Sequence, residues 1–350
     1  MMNFSSRVRG CLMGGALGDS FGYLIELADL ETIEQRYGAE GLLELSQGTA
    51  EIHFSDDTQL TLFTVDGLVE AIEWANQGVS ADPLACLWLA YLRWLRSQGE
   101  TIPENAPQPP GRWIDQQAVL QHRRGPGKAC LNSLLSGEMG TVKKPIDPRA
   151  RGCGSVMRSA PFGLVRYLQA ADAARMSREG AALTHGHPAA LQSSAALSWL
   201  IHQLAVQELP LAEALDSTHH YLRELPAEPD LLGRFEAAVR WGSTPGSAVL
   251  RGEALTEALG EGWLADEALA IAIYAALATQ RDAGNPVEHF QTAVRLAANH
   301  RGDSDSTASL TGSIVGAFYG EECLPDSWLK LAEAPDVIYT MADNLVRVSA

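Results

Sequence analysis

The sequence predicts an all-α protein, and three observations carry that prediction. Its 350 residues include 50 Ala and 46 Leu, the best apolar helix formers, against only 12 Ile and 17 Val. Five stretches repeat apolar residues three and four apart, the spacing of one helical face. Alternation at every second residue, the mark of a half-buried strand, is nearly absent.

The first element along the chain is a row of glycines. Gly10, Gly14, Gly18 and Gly22 recur every four residues and so share one helix face. A matching row, Ala308, Gly312, Gly316 and Gly320, stands near the other end of the chain. Glycine inside a helix costs about 1 kcal/mol relative to alanine, so a row of them needs a reason. Close backbone approach supplies one: the two helices are expected to pack tightly in the core, against each other. A membrane dimer motif would use the same spacing, but Asp19, Asp303 and Asp305 flank these short apolar spans. Segments 58–75, 83–97, 189–207, 264–280 and 306–320 follow as helices, each with an apolar face. Segment 100–112 holds Pro103, Pro107, Pro109 and Pro110 and must be a loop. Segments 136–155 and 241–262 read as loops with short helical pieces. No repeat of 20–50 residues is visible, which argues against a solenoid. If the two rows face each other, the loops beside them meet as well, and residues 1–350 form a single domain closed by its own termini.

Composition narrows the function. Hydrophobic residues make up 46% and charged residues 20%, as in a soluble globular protein. The 26 Lys and Arg against 43 Asp and Glu give a formal charge of −17, which argues against a nucleic-acid binder. Acidic excess also serves solubility alone. The five cysteines are scattered with no CxxC pair, so neither a disulfide framework nor a zinc site is suggested and a reduced, cytoplasmic protein is expected. Arg7 and Arg9 precede the apolar run 11–17 as in an export signal, yet that run is glycine-rich, reaches Asp19 two residues later and lacks a cleavage site. No 18-residue apolar stretch exists, so no membrane span is expected.

Four constellations could carry chemistry. Ser55-Asp56-Asp57-Thr58 stands just ahead of a helix, where Ser and Asp serve as caps. Two adjacent carboxylates between two hydroxyls exceed what a cap needs. Asp303-Ser304-Asp305-Ser306 also precedes a helix and can aim two carboxylates at one point. Together they offer four carboxylates and at least two hydroxyls, an all-oxygen set that selects hard cations such as Mg²⁺, Mn²⁺ or Ca²⁺. Four negative charges match two divalent ions, whereas leaving them clustered and unpaired is expensive. The EF-hand pattern is absent, since neither loop has Glu at its twelfth position. Gly152-Cys153-Gly154-Ser155-Val156-Met157 is a small-residue turn that can cradle phosphate through backbone N–H groups, or simply a turn beside a solvated basic loop. From Arg112 to Arg158 nine basic residues face three acids, which suggests an anionic ligand portion. In Thr184-His185-Gly186-His187-Pro188 a metal-binding pair competes with a histidine that contacts ligand ahead of a helix.

In this order the pieces resemble the ADP-ribosylglycohydrolase family. The matching stretches are GCLMGGALGDSFGYLIE (10–26), SDDT (55–58), RGCGSVMRSAPFGL (151–164), THGHP (184–188) and NHRGDSDSTASLTGSIVGAFYG (299–320). The resemblance implies a compact helical fold with two Mg²⁺ or Mn²⁺ ions in a cleft, held by Ser55, Asp56, Asp57, Asp303, Asp305 and Ser306. It places the acid Glu26 beside the metals, and it lines the ADP-ribose cleft with Gly152, Gly154, Ser155, Met157 and His185. Ser55 and Ser306 stand where the family usually has threonine, which keeps the hydroxyl, and Cys153 stands where asparagine is common. The implied chemistry is attack of a metal-activated water on ribose C1 through an oxocarbenium-like state, with Glu26, Asp56 or Asp57 taking the proton and the basic segment holding the diphosphate. The implied partner is an ADP-ribosylated protein, with arginine as the first linkage and serine-linked or O-acetyl-ADP-ribose as alternatives. A different class is an antidote that blocks a cognate ADP-ribosyltransferase by binding.

Overall fold

The computed structural model describes residues 3–48, 52–244 and 248–349. They contain α1 (Phe4–Tyr23), α2 (Leu30–Tyr37), α3 (Asp56–Asn76), α4 (Pro83–Ser97), α5 (Lys128–Leu135), α6 (Ala160–Gly163), α7 (Ala170–Ala181) and α8 (Pro188–Ala205). The second half adds α9 (Leu211–Glu224), α10 (Pro229–Ser243), α11 (Gly252–Leu259), α12 (Ala265–Gln280), α13 (Pro286–Ala298), α14 (Ser304–Tyr319), α15 (Asp326–Leu329) and α16 (Pro335–Val348). Among the described residues there is no strand, only an isolated bridge between Gly152 and Leu264. The all-α expectation holds.

The helix starts follow from local chemistry. Asn3, Asp29, Ser55, Asp82, Asn285 and Asp303 each accept a backbone N–H of the first turn, satisfying donors that the helix itself cannot. Proline sits in the first turn of α4, α8, α13 and α16, where its missing N–H costs nothing. Gly38, Gly260 and Gly320 end α2, α11 and α14 at positive φ.

The glycine rows pack as expected. A Cβ on Gly14 would lie 2.5 Å from the Gly312 carbonyl oxygen, and one on Gly10 would lie 2.7 Å from that of Gly316. Side chains at Gly18 and Gly22 would overlap the carbonyls of Ala308 and Ser304. Helices α1 and α14 therefore run backbone against backbone. Helix α12 is buried around nearly its whole circumference, which its alanine-rich sequence permits, and α13 and α14 pack on it. Helices α3, α13 and α16 also touch α1, so elements from both ends of the chain share one core running from Val8 to Val348.

The five expected helices correspond to α3, α4, α8, α12 and α14, with ends shifted by a few residues. The proline segment 100–112 is a loop, and 136–152 has no helix. Of the loop expected over 241–262, residues 245–247 lie outside the described ones; the remainder contains the end of α10 and all of α11.

Candidate active site

Three helices deliver acids to one place. Ser55 caps α3, and Asp56 and Asp57 form its first turn; Asp303 caps α14 and Asp305 lies in its first turn. Both helices thus direct N-terminal backbone donors and the positive end of the macrodipole toward carboxylates. The two loops, remote in sequence, meet: the Ser306 hydroxyl donates to Asp57 Oδ2 at 2.8 Å. Asp19 of α1 fixes the geometry from beneath. Its carboxylate accepts the Ser55 N–H at 2.9 Å, the Thr58 N–H at 3.0 Å and the Thr58 hydroxyl at 2.5 Å. The glycine contacts between α1 and α14 therefore also set the distance between the two acidic loops.

Above the acids opens a cleft of about 210 Å³ lined by Glu26, Asp56, Asp57, Asp303, Asp305 and Ser306 on one side and by Gly152, Cys153, Gly154, Met157 and His185 on another. A larger hollow of about 490 Å³ lies under α2, α11 and α13 and shares none of these residues. The glycine turn is held by Cys153 N–H donating to the Trp263 carbonyl at 3.0 Å and by Ala265 N–H donating to Arg151 at 3.0 Å. His185 lies against Gly154, where a Cβ would approach its ring to 3.2 Å. The Cys153 thiol reaches down to Asp303 Oδ2 at 2.7 Å.

The aspartates are buried and Glu26 half-buried, without counter-charge. Asp56 accepts only the Gly127 N–H from across the cleft, at 3.2 Å, and no Lys, Arg or His forms an ion pair with Glu26, Asp56, Asp57, Asp303 or Asp305 among the described residues. Burial, and then the charge of Asp305, push Asp56, Asp57 and Asp303 well above the usual carboxylate range. The same two causes raise Asp19 to about 7 and Glu26 to about 8. Burial lowers His185 to about 3, helped by the Arg158 charge, so its ring is neutral at physiological pH. Among the described residues no three His, Cys, Asp or Glu side chains close tightly around one point; the acids hydrogen-bond to Ser306, Cys153 and backbone instead. In donor chemistry the set nevertheless fits hard divalent cations, because a cluster of oxygen ligands lacking any cationic partner is costly unless protonated or neutralised.

A model of the ADP-ribosylglycohydrolase family matches residues 1–350. The chain belongs to the ADP-ribosylglycohydrolase family. Its members are enzymes, and this chain is similar to ADP-ribosylhydrolase ARH3 of Mus musculus, 24% identical over 98% of this chain and 92% of that protein. It is also similar to ADP-ribosylarginine hydrolase Tri1 of Pseudomonas putida, 24% identical over 97% of this chain and 77% of the relative. In fold it matches the solved structure of an ADP-ribosylglycohydrolase-related protein complex, with a TM-score of 0.66, 23% identity and 99% of each chain covered.

As an ADP-ribosylglycohydrolase, the chain departs from the sequence expectations at two points. Ser155 does not line the cleft: it is buried and donates to the Ala190 carbonyl at 3.4 Å, while the Ser55 hydroxyl, expected as a metal ligand, accepts Asp57 N–H as a cap. The basic segment does not converge on the cleft either. Arg112 pairs with Asp66, Arg123 with Glu100, Arg124 with Glu333 and Arg151 with Asp266, while Arg158 stacks 4.3 Å over the Tyr91 ring. Arg112, Arg123, Arg124 and Arg151 thus neutralise acids outside the cleft, Arg158 donates to Thr184 behind His185, and Lys128 is the member of the segment that reaches the cleft wall. Sequence reasoning passed over Asp19, Gly127 and Trp263. The pairing of Asp19 with a glycine-lined helix face was the available signal for the first; Gly127 precedes α5 and Trp263 stands in an unremarkable loop.

Proposed function

We propose that the chain removes ADP-ribose from a modified protein side chain, ADP-ribosylarginine first, with the help of two divalent ions. The observation that supports this most is the junction of the α3 and α14 acids through Ser306 and Asp57, which gathers buried carboxylates without a protein cation. Arginine takes first place because a relative carries that activity in its name, and because an acid-lined cleft suits a cationic guanidinium leaving group. Serine-linked and O-acetyl-ADP-ribose are alternatives within the same chemistry.

Asp56, Asp57, Asp303, Asp305 and Ser306 would hold Mg²⁺ or Mn²⁺, with Ser55 contributing the acceptor lone pair that its cap leaves over. When bound, such ions supply a Lewis-acid grip on ribose hydroxyls and a more acidic water. The chain's own groups do the rest. Glu26 lines the cleft, where burial, and then the charge of Asp305, raise its affinity for a proton above the usual carboxylate range. It is thus suited to give that proton to the leaving nitrogen and to recover one from water. The Gly152–Gly154 turn brings backbone close to the ligand where a side chain would collide with His185, and neutral His185 offers hydrogen bonding without charge. Lys128 stands where a diphosphate oxygen would need a cation.

Residues 1–350 are read as one working unit. The free state of all five cysteines supports a reducing compartment such as the cytoplasm. No helix among the described residues is long and apolar enough to cross a membrane.

The test is to incubate the protein with separately arginine- and serine-ADP-ribosylated targets, with and without chelator, and to quantify released ADP-ribose. Release from the arginine target that chelation abolishes is expected. No release from either linkage with metal present overturns the reading, and protection against a transferase that survives Asp303→Asn would indicate a binder instead.

A further inference from the structure

A carboxylate that is not part of the cleft lining holds the acidic loop of α3. Glu333 lies in the turn between α15 and α16, with its side chain 14% exposed. Its Oε1 accepts from Arg124 Nη2 at 2.7 Å and lies 2.7 Å from His53 Nδ1, while Oε2 accepts the Phe54 N–H at 3.1 Å. Arg124 in turn accepts the Asp56 N–H on its backbone carbonyl at 2.9 Å, and its guanidinium lies 5.8 Å from the Phe54 ring centroid. All three contacts of Glu333 therefore end on residues 53–54 or on the residue that holds Asp56. Asp19 grips the loop from within; Glu333 grips it from without.

The backbone points the same way. Ala334, next in the chain, sits at φ 45° and ψ 51°, a left-handed conformation that a residue with a Cβ adopts only when its surroundings impose it. Docking of the C-terminal segment does not require Glu333. Trp328 stacks on Phe21 at 4.8 Å and donates to Glu44 at 2.7 Å, and α16 is tied to α1 by Arg9 and Asp343 at 2.6 Å. We propose that Glu333 is a positioning residue: through Phe54 and Arg124 it sets how closely Asp56 and Asp57 approach the acids of α14, and hence how tightly the pocket holds divalent ions. This rests on the cation reading given above.

The experiment titrates the chelated full-length protein with Mn²⁺ and follows free Mn²⁺ by electron paramagnetic resonance, alongside thermal melting without metal. Glu333→Ala is expected to weaken Mn²⁺ binding by about 10-fold or more, the scale typical of groups that orient metal ligands. Glu333→Gln, which keeps an acceptor for Phe54 but not the charge facing Arg124, is expected to fall between it and the wild type. Asp343→Asn is the control: it should lower the melting temperature by loosening α16 yet leave Mn²⁺ affinity within about twofold of the wild type, because it touches no residue that orients a metal ligand. Should Glu333→Ala not fold, Glu333→Gln decides. Wild-type affinity in the Glu333 variants, or an equal loss in Asp343→Asn, overturns this inference alone. A wild-type protein that binds no Mn²⁺ overturns the cation reading and this inference with it.

Discussion

In the proposed reaction, Asp303 and Glu26 divide the labour of one acidic pocket. Asp303 caps α14, accepts from Cys153 and adds to the charge around Asp57 of α3, so its charge would belong to the proposed cation-holding set. Asp303→Asn keeps an oxygen for capping but removes that charge. It should lose both Mn²⁺ binding and ADP-ribose release while the helix content seen by circular dichroism stays unchanged; retained turnover would remove Asp303 from the set. Glu26 stands at the edge of the cleft, and its altered affinity for protons marks it for proton transfer. Glu26→Gln should therefore lower kcat by about 100-fold or more, the usual worth of a positioned acid or base, with Mn²⁺ affinity little changed. The split between kcat and metal affinity separates these two roles.

At the scale of helices, glycine has opposite meanings in different places. Alanine in place of glycine favours a helix by about 1 kcal/mol, but overpacking a tight contact costs about 1–3 kcal/mol or more. At Gly18 the added methyl would meet the Ala308 backbone, which has no rotamer to retreat into. Overlap wins there, and Gly18→Ala should destabilise the protein by roughly 2 kcal/mol or more, read from the urea midpoint. Gly233 in α10 has nothing within 4 Å of its added carbon. Gly233→Ala should stabilise by about 0.5–1 kcal/mol, and a loss there would refute the packing argument. The same contrast explains what could be read in advance. Helices α3, α4, α8, α12 and α14 are rich enough in apolar residues to declare themselves, and the glycine rows named each other as partners. Helices α7, α9, α10 and α16 mix short apolar stripes with Glu, Asp and Arg, so their faces emerge only once the neighbours they cover are known. The acids of the site were legible because each pair precedes a helix as one short motif. Asp19 and Glu333 were not, since a single charged residue carries no spacing, whereas Lys128 was legible only as one of a basic run. Arg112 and Arg151 misled because excess charge along the sequence was already matched by Asp66 and Asp266 in space.

For the whole molecule the buried acids tie stability to pH and, on the proposed cation reading, to metal. Asp19 and Glu26 bind protons more tightly folded than unfolded, with values raised to about 7 and 8. Folded-state proton binding stabilises most below the ordinary carboxylate range, and that contribution is lost as pH rises through the folded values. Chelated protein should thus melt at falling temperature between pH 5 and pH 8, a window that spans the raised values. On the proposed cation reading, divalent ions would substitute for the missing protons, so added Mg²⁺ or Mn²⁺ should raise the melting temperature more at pH 8 than at pH 5. Differential scanning fluorimetry across that range checks the sign, and a metal effect independent of pH would contradict it.

The pairing of Phe4–Tyr23 with Ser304–Tyr319 also has a consequence for biogenesis. Ribosomes deliver the first helix long before its mate, and contacts so distant in sequence form late because a long loop must close first. A nascent polypeptide halted ahead of residue 304 carries one acidic wall without the other. A fragment that lacks either Phe4–Tyr23 or Ser304–Tyr319 is therefore expected to release no ADP-ribose.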